Sequence, residues 1–196
     1  MDDHLPPIET HPLQPFLPSN GRILMLGSFP PQKKRWKIDF FYPNFNNDMW
    51  RVMGTIFYDD PLHFVDSVAK TYRKEAIIDF LSRAGIGLFD TASEVRRLQD
   101  NASDKFLEIV TPTDIAALLT QMPHCRTLAT TGQKATDTLC DLLSIAEPPL
   151  GHYTEFQHAG HPFRLYRMPS TSRAYPLPLT KKAEAYRKMF HEIGLL

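Results

Sequence analysis

The sequence predicts an α/β fold: a three-layer α/β/α sandwich around a mainly parallel, four-stranded central sheet. Short apolar runs alternate with longer segments of helical period, the order that a parallel sheet with crossover helices requires. The runs are closed by glycine, proline or aspartate, as strands buried on both faces are. The chain of 196 residues is long enough for one such domain and a sizeable core.

The elements follow in order. Residues 1–20 read as an extended segment packed on the domain, ending at the turn Ser19-Asn20-Gly21, and residues 21–196 read as the single domain. "RILMLGSF" (Arg22 to Phe29) is the first strand. Trp50, Val52, Met53, Ile56 and Phe57 then recur at helical spacing. "YRKEAIIDFLSRAG" puts Ile77, Ile78 and Leu81 on one helical face and stops at Gly85. "IGLFD" is a second strand, ending at Asp90. "TPTDIAALLTQM" opens with residues suited to a helix start. "RTLATTG" is a third strand with "QKATDTLCDLL" the helix leaving it, "FRLYRM" is a fourth, and a last helix begins near Leu179 or Thr180. The 17 prolines cluster between these elements and mark stiff loops.

Lys+Arg and Asp+Glu are balanced at 22 each, so any site for a polyanion must be a local patch. "KKRWK" supplies one, with Lys33, Lys34, Arg35 and Lys37. No window approaches the roughly 18 apolar residues of a membrane span, and no basic segment followed by an apolar run opens the chain. Cys125 and Cys140 are the only cysteines and lack ligand spacing. A reduced, cytoplasmic setting with no membrane partner is the expectation. His152, His158 and His161 have no metal-ligand spacing either, and nothing demands a metal or an organic cofactor.

Ligands of open parallel sheets sit beyond the carboxyl ends of the strands. Here those ends are "GSFP", "FDTAS", "TTGQK" and "PSTSR", all rich in small polar residues. Gly27-Ser28-Phe29-Pro30 is either a plain strand-to-loop turn or a close backbone approach to a ligand. Asn47 is either a helix cap or an amide that holds water or a base group. Asp90 is a turn residue or a carboxylate that accepts a ring N–H. Of Phe40, Phe41, Tyr42 and Phe45, spaced around Pro43, at least one ring is expected outside the core and free to stack on a flat ligand. Ser170 and Ser172 either cap the last helix or grip a phosphate with Arg173.

"LGSFPP", "YPNFNNDMW", "GIGLFD", "TTGQKA" and "PSTSRA" occur in one order over roughly Arg22 to Phe190. Together they resemble the uracil-DNA glycosylase superfamily, nearest its mismatch-specific and hypoxanthine-DNA glycosylase-like branch. The resemblance implies a repair enzyme that flips uracil or hypoxanthine out of DNA carrying a damaged or mismatched base. No lysine is clearly placed as a Schiff-base nucleophile, so a monofunctional enzyme is expected, and a monomer. It would hydrolyse the N-glycosidic bond and leave an abasic site in base excision repair. By the same resemblance, Gly27, Phe29, Phe41 and Tyr42 would frame the base and Asp90 would read its edge. Backbone amides around Ser28 and Phe29 would stabilise the departing anion, and Asn47 would orient the water, with Asn44 and Asn46 as rivals for that place. Ser170, Thr171 and Ser172 would grip phosphates, with Arg173 or Tyr175 entering the vacated stack. Lys33, Lys34, Arg35, Lys37, Lys181 and Lys182 would form the basic approach, and Lys134 is the lysine to watch as a nucleophile. Many relatives carry Asp or Asn where this chain has Phe29, and a histidine where it has Met168. The alternative is therefore a nucleic-acid-binding module on the same fold with weak or no catalysis.

Overall fold

The computed structural model describes residues 5–99 and 104–196. In chain order the elements are β1 (Ile8–Thr10), β2 (Ile23–Gly27), α1 (Met49–Tyr58), β3 (Val65–Asp66), β4 (Thr71–Tyr72) and α2 (Lys74–Ala84). β5 (Ile86–Asp90), β6 (Ala92–Arg97), β7 (Leu107–Pro112), α3 (Ile115–Thr120), β8 (Thr127–Thr131) and α4 (Gln133–Leu143) follow. β9 (Tyr153–His158), β10 (His161–Met168) and α5 (Leu179–Glu192) complete the chain.

Helices flank a central sheet of strand order β5-β2-β8-β10-β9. Its first four strands are parallel, and they are the four expected from the sequence. β2 and β5 are buried at every position, which is why they read as unbroken apolar runs. Ile23, Leu24, Met25 and Leu26 are all fully buried, a burial worth roughly 1.5–3 kcal/mol per side chain of this size. The fifth strand, β9, adds to the four that the sequence predicts. It pairs antiparallel with β10 at the sheet edge and alternates exposed with half-buried positions, so no apolar run announces it. Ala159 and Gly160, at φ of 48° and 77°, make the tight hairpin turn between them.

A second, antiparallel sheet of order β1-β6-β7 grows directly from the end of β5. β6 buries only Ala92 and Val95, and its polar remainder reads as loop. With Leu107 these two residues and Phe29 form a small separate apolar cluster. The N-terminal segment is tied to both sheets: β1 pairs with β6, and Phe16 exchanges backbone hydrogen bonds of 3.0 and 2.9 Å with Leu88.

Helix ends follow local chemistry. The Asp114 carboxylate accepts the Ala117 N–H at 3.0 Å and caps α3. α2 stops at Gly85, whose φ of 72° is in the left-handed region and where a Cβ would lie 2.7 Å from the Asn20 carbonyl oxygen. α1 buries Trp50, Val52 and Met53 completely, and the Trp50 indole N–H donates to the Phe41 carbonyl at 3.2 Å. No helix among the described residues is long and apolar enough to cross a membrane.

Candidate active site

The carboxyl ends of β2, β5, β8 and β10 open onto one cleft of about 960 Å³. Ser28, Asp90, Gly132 and Ser170, one from each strand end, line it together with Phe41 and Tyr42. This is the place where parallel sheets put their ligands.

Asp90 ends β5 and is buried at the base of the cleft. Its Oδ2 is 2.8 Å from Nε2 of His11, a residue of the N-terminal segment. A carboxylate oxygen only accepts, so the Nε2–H is the donor to Asp90. Nδ1 lies 3.1 Å from both the N–H and the carbonyl of Leu13, and can accept from the first or, in the doubly protonated ring, donate to the second. The His11 and Asp90 side chains are only 3% and 10% exposed. The rings of Phe89, Phe29 and Phe41 surround the imidazole at 4.4, 5.2 and 6.3 Å. Gly27 lets the carboxylate lie across the end of β2: a Cβ there would meet Asp90 Oδ1 at 2.4 Å.

A second carboxylate shares the cleft. Ser28 Oγ donates to Asp104 Oδ2 at 2.6 Å. Asp104 keeps solvent contact, yet protein crowds its carboxyl. That desolvation raises its pKa above the ordinary carboxylate value, and the Asp90 charge adds to the rise. The Ser28 hydrogen bond and the charges of Arg97 and Lys134 pull the other way without cancelling it. A raised pKa means that the folded state holds the proton more tightly than the unfolded chain. The carboxyl therefore costs stability at neutral pH, and that cost vanishes as the group protonates in acid. Asp104→Asn is expected to raise Tm at neutral pH, with the gain fading as pH falls through the carboxylate range. Thermal melts across that range check this, and an unchanged or lowered neutral-pH Tm contradicts it.

Tyr42 and Phe41, two of the aromatic residues lining the cleft, are held firmly. Tyr42 has a φ of 49°, unusual for a bulky residue, and is fixed by its hydroxyl bonding to Thr131 Oγ1 at 2.8 Å. Its ring meets Trp50 edge-on at 5.9 Å. Burial first, and then the Asp90 charge, push its phenol well above the usual range, so the hydroxyl stays protonated. Phe41 is 4% exposed. Phe41 and Phe40 both belong to the core, Phe40 stacking on Trp50, and Phe45 packs against Tyr72 beneath the Arg51 guanidinium.

Asn47 lines the cleft, but its side-chain carbonyl is engaged elsewhere. Oδ1 accepts from the Met49 N–H at 2.9 Å and from Thr171 Oγ1 at 2.7 Å. Both acceptor positions are thereby filled, and only the amide N–H groups can serve a ligand. The N-cap of α1 is Asp48, so Asn47 stands one residue before the cap and its oxygen closes a turn on the Met49 N–H. Asn44 closes a local turn by accepting the Asn46 N–H.

Asp48, next to it, is the knot that welds this segment to the "PSTSR" loop. Its backbone N–H donates to the Thr171 carbonyl at 2.8 Å. Its carboxylate meets Arg173 at 2.9 Å, Lys182 at 3.4 Å and Arg51 at 3.7 Å, and is itself only 10% exposed. Two expectations need correction here. Lys182 is 1% exposed and donates to the Ser172 carbonyl at 2.9 Å, so it is an internal cation and no part of a surface approach. Thr171 is also 1% exposed with its hydroxyl proton given to Asn47, so that hydroxyl is not a phosphate donor. Ser170 and Ser172 differ. Their oxygens accept the Ser172 and Ala174 N–H groups at 3.2 Å, which leaves each hydroxyl proton available at the cleft rim beside Tyr175.

The basic run does not line the cleft. Lys33, Lys34 and Arg35 form an exposed 3-10 turn, with Lys33 bonded to Asp39 at 2.5 Å and set 3.9 Å from the Trp36 ring centre. Arg97, Lys105 and Lys134 are the cations of the lining. Arg97 is held by both carboxylate oxygens of Glu9 and by the Pro30 carbonyl, so it also braces the first turn.

His11, Asp104, Arg97 and the Asp48 knot are site features that sequence reasoning misses. His11 and Asp90 are 79 positions apart, and Asp48 and Lys182 are 134 apart, so no local spacing links them. The one available signal is an acid at the start of α1. Among the described residues, no group of three or more His, Cys, Asp or Glu is placed to hold a metal.

No family model matches the chain, and no curated protein does. Among solved structures, the chain is similar to one from Methanosarcina acetivorans, determined by solution NMR and described as a "putative Uracil DNA glycosylase". The two share 19% identity, with a TM-score of 0.62 over 96% of this chain and 99% of that one. At this identity the likeness shows a common fold.

Proposed function

We propose that this protein is a monofunctional DNA glycosylase that hydrolyses the N-glycosidic bond of a flipped, deaminated base. One observation carries the reading: a buried, oriented carboxylate, Asp90, sits at the floor of a cleft with aromatic walls and a hydroxyl-bearing rim. The fold shared with the Methanosarcina protein, and the motif order of the sequence, support the same choice.

The chemistry follows from what each group can do. A base leaving the stack costs a few kcal/mol, least for damaged or mismatched pairs. The face of Phe41 or Tyr42 recovers part of that cost by stacking, at roughly 1–3 kcal/mol per base. As the C1′–N bond breaks, positive charge grows on the sugar and the electron pair departs with the base. Asp90 stabilises that positive charge and takes the surplus proton of the attacking water, whose oxygen bonds to C1′. The base departs as an anion, to which the amide N–H groups of Asn47 can donate hydrogen bonds, and it takes its proton from solvent water; the proton that Asp90 accepted is then released to solvent. Ser170, Ser172 and Tyr175 suit flanking phosphates, with Lys105 and Lys134 adding local positive charge. Uracil and hypoxanthine are the proposed bases.

Incubation with duplexes carrying uracil, hypoxanthine, xanthine or a G:T mismatch, followed by alkali, tests the reading. Strand breaks at the modified position are expected for at least one substrate. A second reading, a binding module without catalysis, draws on the engaged carbonyl of Asn47 and on Phe29 lying in an apolar cluster. Salt-sensitive DNA binding with no strand break on any substrate favours it.

A further inference from the structure

The geometry points to His11 as the positioning residue of Asp90: the N-terminal segment completes the active site by holding this carboxylate through the His11 Nε2–H, with the second oxygen across Gly27. The inference rests on the glycosylase reading of the cleft and adds to it a residue outside every motif that suggested that reading.

Four facts bear on it. His11 is delivered to the end of β5 by backbone on both sides. β1 is laddered onto β6, the His11 N–H donates to the Ser93 carbonyl at 2.8 Å, and Phe16 is bridged to Leu88. Both ring nitrogens are engaged, Nδ1 by Leu13 and Nε2 by Asp90, so ring rotation is fixed by bonds at each end. Three phenylalanine rings close around the imidazole, which is 3% exposed, while Asp90 still reaches the cleft. Finally, Asp90 shares its cleft with Asp104, and their charges repel. A carboxylate so placed needs a donor to hold it in one orientation, and the His11 Nε2–H is 2.8 Å from its Oδ2.

A histidine that only packs would affect stability and leave turnover per folded molecule unchanged. A positioning residue lowers kcat, because a reacting group held loosely spends less time in the productive geometry. His11→Ala is expected to lower kcat about 10–100-fold, the range seen when a partner orienting a reacting group is lost, with KM within about twofold. His11→Gln, which keeps an N–H of similar reach, is expected to recover most of the loss. Long-range proton–nitrogen NMR of the wild-type imidazole provides a readout independent of turnover. It is expected to show the proton on Nε2, with a resonance that shifts in Asp90→Asn.

Wild-type kcat in His11→Ala overturns the inference, as does a Gln variant no more active than Ala. A ring with no proton on Nε2 overturns it on structural grounds alone. If the wild-type protein releases no base from any duplex, the glycosylase reading fails first, and His11 is then judged by the NMR result. The two failures are thus distinguishable.

Discussion

Replacing Asp48 with alanine is expected to destabilise the protein by about 3–5 kcal/mol, the cost of removing one partner from a buried ion pair. Lys182 is the reason. It is 1% exposed, and its ammonium is held by Asp48 and by the carbonyls of Thr171 and Ser172. Without the carboxylate a buried cation remains, answered only by carbonyl dipoles. Arg173, half-exposed, can turn to solvent; Lys182 cannot. The substitution also removes the side-chain ties from Asp48 to Arg173 and Lys182, leaving the "PSTSR" loop held to the start of α1 by backbone bonds and the Thr171–Asn47 contact, so rim geometry should loosen as stability falls. Urea unfolding measures the first effect. Asp48→Ala combined with Lys182→Met should be less destabilised than Asp48→Ala alone, since the double change removes both charges. A single variant within about 1 kcal/mol of wild type would deny the knot its structural role, since ordinary surface changes fall within about 0.5 kcal/mol of zero.

The second large effect is on turnover. Asp90→Asn is expected to reduce single-turnover base release by about 10²–10⁴-fold, the range for loss of a positioned acid–base group. Affinity for the damaged duplex should stay within a few-fold, because the phosphate contacts proposed for the rim do not involve Asp90. The fold should survive, since the side-chain carbonyl of the substituted asparagine can still accept the His11 Nε2–H, which lies 2.8 Å from the carboxylate oxygen in the wild type. That separates this variant from Asp48→Ala, in which loss of structure and loss of function come together. Full activity in Asp90→Asn would move the chemistry elsewhere in the cleft.

The central sheet is legible in the sequence because its four parallel strands are buried in the core, and burial writes itself as apolar runs such as "ILMLG" and "IGLFD". The strands that escape such a reading have only one protected face or none. β9 alternates, and β6 reads "ASEVRR". The cleft could be placed because topology alone brings the strand ends together. Gly27, Ser28, Phe29, Phe41, Tyr42, Asn47 and Asp90 all line it, as do Ser170, Thr171, Ser172 and Tyr175. What cannot be read is the division of labour among them. Asn47 and Thr171 look polar in sequence, but they use their polarity on each other. Lys182 looks like a surface charge at the start of an amphipathic helix, and turns inward because Asp48 is there to receive it. His11 lies in a proline-rich opening with no periodicity, and its partner is fixed only by the β1–β6 ladder. Pairings of this kind are set by tertiary contact, and neither propensity nor spacing encodes them.

The most direct test of the glycosylase reading is a count of products from one reaction on duplexes bearing a single uracil or hypoxanthine. Free base is quantified by mass spectrometry and abasic sites by aldehyde labelling, with Asp90→Asn run alongside. Free base and abasic sites are expected in equal amounts from wild type, from at least one of the two duplexes, and neither from the variant above background. Tight DNA binding by wild type with no base released from either duplex would contradict it.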